Sequence, residues 1–365
     1  MSDDKRIYLY DSTLRDGAQT QGIDFNVADK IAIARALDDL GIDYVEGGWP
    51  GANPTDDAFF ADPPAFSTAR LVAFGMTRRA GRSAANDPGL AGLADAPADV
   101  VCMVGKTWDF HVEVALGITT PENVAMIAES VAHMAQRKSE VMFDAEHFFD
   151  GYKANRDFAL ECAKEAYDAG ARWVVLCDTN GGTLPHEIER IVGEVCEIIP
   201  GSHVGIHCHN DTENAVANSL AAVWAGARQV QGALNGLGER CGNANLVSLI
   251  PSLMLKTDFK VGIGEDQLAH LTTTSRLLDE RLNRAPAASA AYVGDNALRT
   301  RAVCTSRRSR RTRALTSTST PVVSATSATS SSRTRPGAPT SWRAFASWAW
   351  TAMPTKKRSA RWSSG

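Results

Sequence analysis

Apolar residues recur along this chain in two alternating rhythms. Ile7-Tyr8-Leu9-Tyr10 is a short continuous apolar run that predicts a buried strand, and Ile42-Asp43-Tyr44-Val45-Glu46 predicts a second. Between them Val27, Ile31, Ala34, Leu37 and Leu40 recur at the spacing of one helix face, with Asn26 placed to cap the start and Gly41 to stop the end. The alternation continues. Strands are expected near 70–75, 98–104, 140–145, 172–177, 203–208 and 229–234, and helices over 119–136, 155–169, 185–198 and 212–225. Continuous apolar strands separated by amphipathic helices predict a parallel sheet covered by helices. Eight strands over this length match an α/β fold of the closed (β/α)8 TIM-barrel type. An open doubly wound sheet is the alternative, but it usually carries a glycine-rich phosphate loop after its first strand. Asp11-Ser12-Thr13-Leu14-Arg15-Asp16-Gly17 stands there instead.

A barrel of this kind gathers its chemistry at the carboxyl ends of its strands. Arg15 and Asp16 follow the first expected strand, Glu46 ends the second, and Asp144 and Glu146 end the fifth. Asp178-Thr179-Asn180 follow the sixth, His207 and His209 end the seventh, and Asn243 follows the eighth. In His207-Cys208-His209 the imidazoles are two positions apart, so on a strand both face one way. Two such imidazoles at a strand end suit one divalent metal, and Asp16 is the carboxylate to complete a facial site. Taken singly, each feature has an ordinary explanation. An isolated HxH is as readily a pair of surface histidines, an Arg-Asp pair is commonly a local ion pair, and Glu46 or Glu146 alone could be a solvated acid. The recurrence at successive strand ends gives the set its weight. His111, His133, His147, His186, His203 and His270 have no comparable partner in sequence, and Cys208 and Cys241 read as packing residues near the site.

Composition narrows the class. The chain has 365 residues with a formal net charge of −4, and no apolar run approaches the roughly 20 residues of a membrane span. Seven dispersed cysteines without framework spacing point to a reducing cytoplasm, and the opening residues do not read as a signal peptide. The charge is unevenly spread: residues 1–300 hold 25 Lys and Arg against 42 Asp and Glu, whereas residues 301–365 hold 13 basic residues and no acid. A basic tail can bind nucleic acid, but a body with net charge −17 would oppose it, so neither a nucleic-acid nor a membrane partner is expected.

Three segments carry a family resemblance over about residues 5 to 297. Tyr10-Asp11-Ser12-Thr13-Leu14-Arg15-Asp16-Gly17-Ala18-Gln19, Gly205-Ile206-His207-Cys208-His209-Asn210-Asp211 and Gly236-Leu237-Gly238-Glu239-Arg240-Cys241-Gly242-Asn243-Ala244 resemble, in order, the signatures of the alpha-isopropylmalate, homocitrate and citramalate synthase family. That family is related to hydroxymethylglutaryl-CoA lyase. Gln19-Thr20-Gln21-Gly22 and Glu46-Gly47-Gly48-Trp49-Pro50-Gly51 are most similar to its citramalate branch. The resemblance implies an acyltransferase of branched-chain amino-acid biosynthesis that condenses acetyl-CoA with pyruvate to give (R)-citramalate and CoA. Isopropylmalate or homocitrate synthesis, or the reverse, metal-dependent lyase reaction, are its alternatives. It assigns Asp16, His207, His209 and Asn243 to a divalent ion (Mg, Mn or Zn), Arg15 to the keto oxygen, and Glu46 to holding Arg15. Thr179 and Gln19 would bind substrate and Glu146 would act as base. It also implies a homodimer for the intact family protein.

The end of the chain departs from the family. The expected division is a barrel over 1–265, the start of a linker or helical subdomain over 266–297, and an aberrant basic Ser/Thr/Arg-rich tail over 298–365, expected to be disordered. If one nucleotide is lost near the Leu298 codon, the shifted frame decodes from Ala297 to a stretch containing HKGGLH, which resembles the family's linker motif. A chain carrying this tail would lack a linker histidine that the resemblance makes a catalytic helper, and low activity is expected of it.

Overall fold

Eight parallel strands close on themselves in chain order. They are β1 (Tyr8–Asp11), β2 (Tyr44–Gly48), β3 (Arg70–Met76), β4 (Val100–Lys106), β5 (Glu140–Glu146), β6 (Trp173–Asp178), β7 (Val204–Cys208) and β8 (Gln229–Gly232). The seam is β8 against β1, with Tyr8 opposite Gln229 and Asp11 opposite Gly232. The structure, a computed structural model, describes residues 5–297, so the expectations for the tail from Leu298 lie outside the described residues. All eight expected strands form, and the arrangement is the closed barrel rather than the open sheet.

The helices follow the pattern of the chain. Asn26 caps Val27–Leu40 by accepting from the Asp29 amide at 2.9 Å, and Asp29 returns the contact. Gly41 ends that helix at φ +89°, a left-handed backbone that favours glycine. The helices Thr120–Ala135, Arg156–Asp168, Pro185–Ile198 and Ala215–Ala225 lie within a few residues of their expected spans. Alternate residues on each strand pack in two directions. Leu9, Val45, Ala73, Val101 and Phe143 join the core between strands and helices. Tyr10, Tyr44, Phe74, Cys102, Met142, Trp173 and Val175 fill the barrel interior. The Trp173 indole is wholly buried there, donates toward the Tyr44 hydroxyl at 3.3 Å and is covered by the Arg172 guanidinium. Towards the carboxyl ends the interior turns polar: Glu46, Asp144, His207 and Gln231 are all buried. That layer is the floor of the site. Beyond the barrel, Leu271–Arg281 packs back on Val27–Leu40, with Arg281 3.6 Å from Asp29.

Candidate metal centre and active site

The loop after β1 is set by its own polar groups. The Asp11 carboxylate accepts from the Thr13 amide (2.9 Å) and hydroxyl (2.8 Å), and Thr13 Oγ1 in turn accepts from the Leu234 amide across the seam. Burial raises the Asp11 carboxyl to about 7 despite these donors. The amides of Arg15 and Gly17 both donate to the Ser12 carbonyl, closing the turn. Arg15 and Asp16 are thereby presented over the polar floor.

Arg15 is held on three sides. Its Nε donates to Glu46 Oε2 at 2.9 Å, its guanidinium lies 3.9 Å above the Phe74 ring, and Nη1 is 3.5 Å from Asp16 Oδ2. The Tyr10 hydroxyl donates to the other Glu46 oxygen at 2.8 Å. Glu46 is fully buried; burial pushes its carboxyl above the ordinary value while Arg15 opposes the shift. The pair leaves the guanidinium fixed and charged at the cavity wall.

Asp16, His207 and His209 converge. Asp16 Oδ2 is 3.5 Å from His207 Nε2 and 3.8 Å from His209 Nε2, and the two Nε2 atoms are 3.3 Å apart. Burial would raise the Asp16 carboxyl, but Arg15 and the two imidazoles hold it far below the ordinary range. Burial and the neighbouring His207 push the His209 imidazole down to about 3. A carboxylate and facing imidazole nitrogens are the donor set of a divalent metal. The fit has a further sign: Asp16 Oδ1 and Asn243 Oδ1 are buried without a hydrogen-bond partner. Asn243 pairs with His209 through a backbone bridge. Its amide nitrogen donates to the Leu237 carbonyl at 3.0 Å. Gly238, at φ +151°, leaves room for that amide, since a Cβ there would lie 2.2 Å from Asn243 Nδ2.

These groups line a cavity of about 330 Å³ at the carboxyl ends of the strands. Of the residues singled out from sequence, Arg15, Asp16, Gln19, Asp144, Glu146, Thr179, His207 and His209 share its wall, with Glu46 behind Arg15 and Asn243 beside His209. Thr179 Oγ1 accepts from the His147 amide at 2.9 Å, and the Thr179 carbonyl accepts from Arg240, which is paired with Asp211. Glu146 is paired with Lys106.

Sequence reasoning missed several participants. Gln231 on β8 accepts from His207 Nδ1 at 2.8 Å and donates to Asp144 Oδ1 at 3.0 Å. Two glutamines at alternate positions of an apolar strand, Gln229 and Gln231, were the available signal. Trp49, Phe74, Met76, Val104, Lys106 and Glu239 also line the wall, and Cys177 is the cysteine that lines the cavity. Two expectations need correction. Cys208 is buried as a packing residue should be, but Cys241 is exposed. His111 and His147 are not isolated: their rings meet edge-on at 4.3 Å, beside the Trp108 ring. They lie 36 positions apart and meet only because β4 and β5 are neighbours.

Comparison with known proteins agrees with this fold. The chain is 52% identical over 295 residues to an (R)-citramalate synthase of Aquifex aeolicus, covering 80% of this chain and 56% of that protein. It is 32% identical over 295 residues to a 2-isopropylmalate synthase of Sulfurisphaera tokodaii, covering 80% of this chain and 73% of that one. The chain thus spans little more than half the length of the citramalate synthase it matches. Its fold is similar to a solved hydroxymethylglutaryl-CoA lyase from Pseudomonas aeruginosa, with a TM-score of 0.65 at 18% identity, over 77% of this chain and 94% of the other. The HMGL-like family model matches residues 6–276. The chain therefore belongs to the HMGL-like family.

Proposed function

We propose that this barrel condenses acetyl-CoA with pyruvate, giving (R)-citramalate and free CoA with consumption of one water. The observation that carries the reading is the Asp16–His207–His209 cluster beside a buried Arg15–Glu46 pair. The chain's greater identity to the citramalate synthase than to the isopropylmalate synthase favours pyruvate over longer 2-oxo acids. Asp16, His207 and His209 would hold one divalent ion of the Mg, Mn or Zn type, with the Asn243 amide oxygen as a further ligand. When bound, that ion supplies Lewis acidity toward the keto and carboxylate oxygens of a 2-oxo acid.

The chain's own residues would do the rest. Arg15, immobilised by Glu46, directs a fixed positive charge at the keto oxygen, where negative charge grows during attack; such donors contribute about 3 kcal/mol in comparable sites. The Thr179 hydroxyl already accepts from the His147 amide, so its proton is free to donate to the substrate carboxylate. Gln19 adds an amide on the same wall. Glu146 would take a proton from the acetyl methyl group, and the carbon left with the electron pair attacks the keto carbon. The intact protein would act as a homodimer.

The test is a single-turnover reaction with the metal-loaded chain in excess over labelled acetyl-CoA, with products resolved by mass. Label in citramalate with pyruvate, and little condensation with 2-oxoisovalerate, is the expected result. Label in isopropylmalate, or cleavage of a hydroxyacyl-CoA without condensation, would overturn it.

A further inference from the structure

The cavity that holds the cluster adjoins a second one of about 390 Å³, and the two share Trp49, Met76, Lys106 and Glu146. Lys106 and Glu146 are the last residues of β4 and β5 and stand directly opposite in the strand register. Their backbones are anchored. The Asn123 amide nitrogen donates to the Lys106 carbonyl at 2.9 Å, and the Thr107 hydroxyl donates to the Glu146 carbonyl at 2.8 Å. The ammonium and the carboxylate are therefore presented side by side, mostly shielded from water, at the boundary between the cavities.

Two other cations of these walls are bound to acids of their own, while Arg79 lines the second cavity farther out, with its backbone amide donating to Asp87. Arg15 is bound to Glu46, and Arg78 is bound to Glu122 and Glu129. Lys106 is paired with the one acid that the proposed reaction asks to become neutral. A carboxylate that takes a proton from carbon gives up its charge, and the same electron pair ends as negative charge on the thioester oxygen. An ammonium already touching the carboxylate then faces an unbalanced positive charge and the new oxyanion at once. Charge moves across a fixed dipole with little reorganisation, which is the arrangement that stabilises an enolate.

We infer that Lys106 is a further catalytic residue, its ammonium donating to the thioester oxygen of the acyl-CoA as Glu146 removes the methyl proton. The carbon–hydrogen bond breaks, the proton goes to Glu146, and the electron pair passes through carbon to the oxygen held by Lys106. Lys106 keeps its own protons throughout. The inference rests on the acyl-CoA reading of the site.

Its test is binding, which does not depend on turnover. Carboxymethyl-CoA, a stable thioether, places a carboxylate near the position of the enolate oxygen, whereas CoA itself carries no such charge. Both are titrated calorimetrically into the full chain and into Lys106→Met, with magnesium present throughout. The expected result is a loss of about tenfold or more in carboxymethyl-CoA affinity with CoA affinity unchanged, the size of one charge-assisted hydrogen bond. Unchanged binding of both ligands, or an equal loss for both, overturns the role of Lys106. An unaltered chain that binds neither ligand overturns the acyl-CoA reading itself, and the role with it.

Discussion

The Nδ1 atom of His207 lies 2.8 Å from Gln231 Oε1, and this contact decides which face of the imidazole is free. Because the Gln231 amide nitrogen is committed to Asp144, its oxygen must face the ring, so the ring proton sits on Nδ1. Nε2 is then the nitrogen turned toward Asp16 and His209. Gln231→Leu leaves that proton without an acceptor and the tautomer unfixed. Metal affinity should fall by about 10- to 100-fold, as is usual when the group orienting a ligand is lost. Titration of the chelator-treated chain with zinc measures it, and unchanged affinity would show that the glutamine has no such function.

Thr179 depends on an unusual backbone. His147 adopts φ +55° and ψ +34°, which turns its amide toward the Thr179 hydroxyl. A β-branched residue disfavours that conformation strongly, while asparagine and glycine accept it. His147→Val should raise KM for pyruvate more than KM for acetyl-CoA, with His147→Asn close to the unaltered chain. Equal effects of the two variants would place the importance in the ring instead.

The Lys30–Asp56 pair is a buried latch for the segment after β2. Lys30 Nζ also donates to the Gly47 carbonyl at 2.9 Å, and Asp56 accepts from the Trp49 amide at 2.9 Å. Removing one partner strands a buried charge, so Lys30→Met should cost about 3–5 kcal/mol. Lys30→Met combined with Asp56→Asn should cost less than the single change. Urea denaturation of the unaltered chain, the two single variants and the double variant checks both expectations, and a fully additive double variant would rule out the coupling.

Acid sensitivity has a local source at Asp38. Burial would raise its carboxyl, but donors from the Ala69, Ser67 and Thr68 amides hold it at about 2, against 3.8 for an ordinary aspartate. A carboxyl depressed in the folded state stabilises above its unfolded value and loses that contribution as pH falls. The relevant window is pH 4 down to pH 2, and the contribution is about 2 kcal/mol. Asp38→Asn should lower stability at pH 6 and flatten its dependence on pH across this window. An unaltered slope would assign the sensitivity to other carboxyls.

The departure from family pattern at Leu298 is testable at the level of the gene. Restoring one base near that codon should return the HKGGLH segment and raise CoA release by about a hundredfold, the order of one general acid–base group. Equal turnover from both reading frames would mean that the segment contributes nothing to the chemistry.

Much of the barrel was legible because its strands are buried on both faces and read as apolar runs, while Asn26 and Gly41 marked helix ends with their own chemistry. The histidine pair was legible because the two-residue period of a strand survives in the sequence. Gln231, Lys106 and the His111–His147 contact were harder to see. Gln231 and Lys106 acquire their meaning from a neighbour on the adjacent strand, such as Glu146 opposite Lys106, and His111 meets His147 on the segments that follow β4 and β5; these neighbours exist only once the barrel is formed. Gln231 in particular reads as one more polar residue until His207 stands beside it. The exposure of Cys241 was hidden for a similar reason, since its loop is shaped by Arg240 reaching to Asp211.

The seam between β8 and β1 joins chain segments more than two hundred residues apart, and Asp16, His207 and His209 straddle it. No contiguous fragment ending before β7 contains them all. Ion uptake would therefore report that the ring has been completed, and a nascent chain would gain its affinity in one late step rather than gradually.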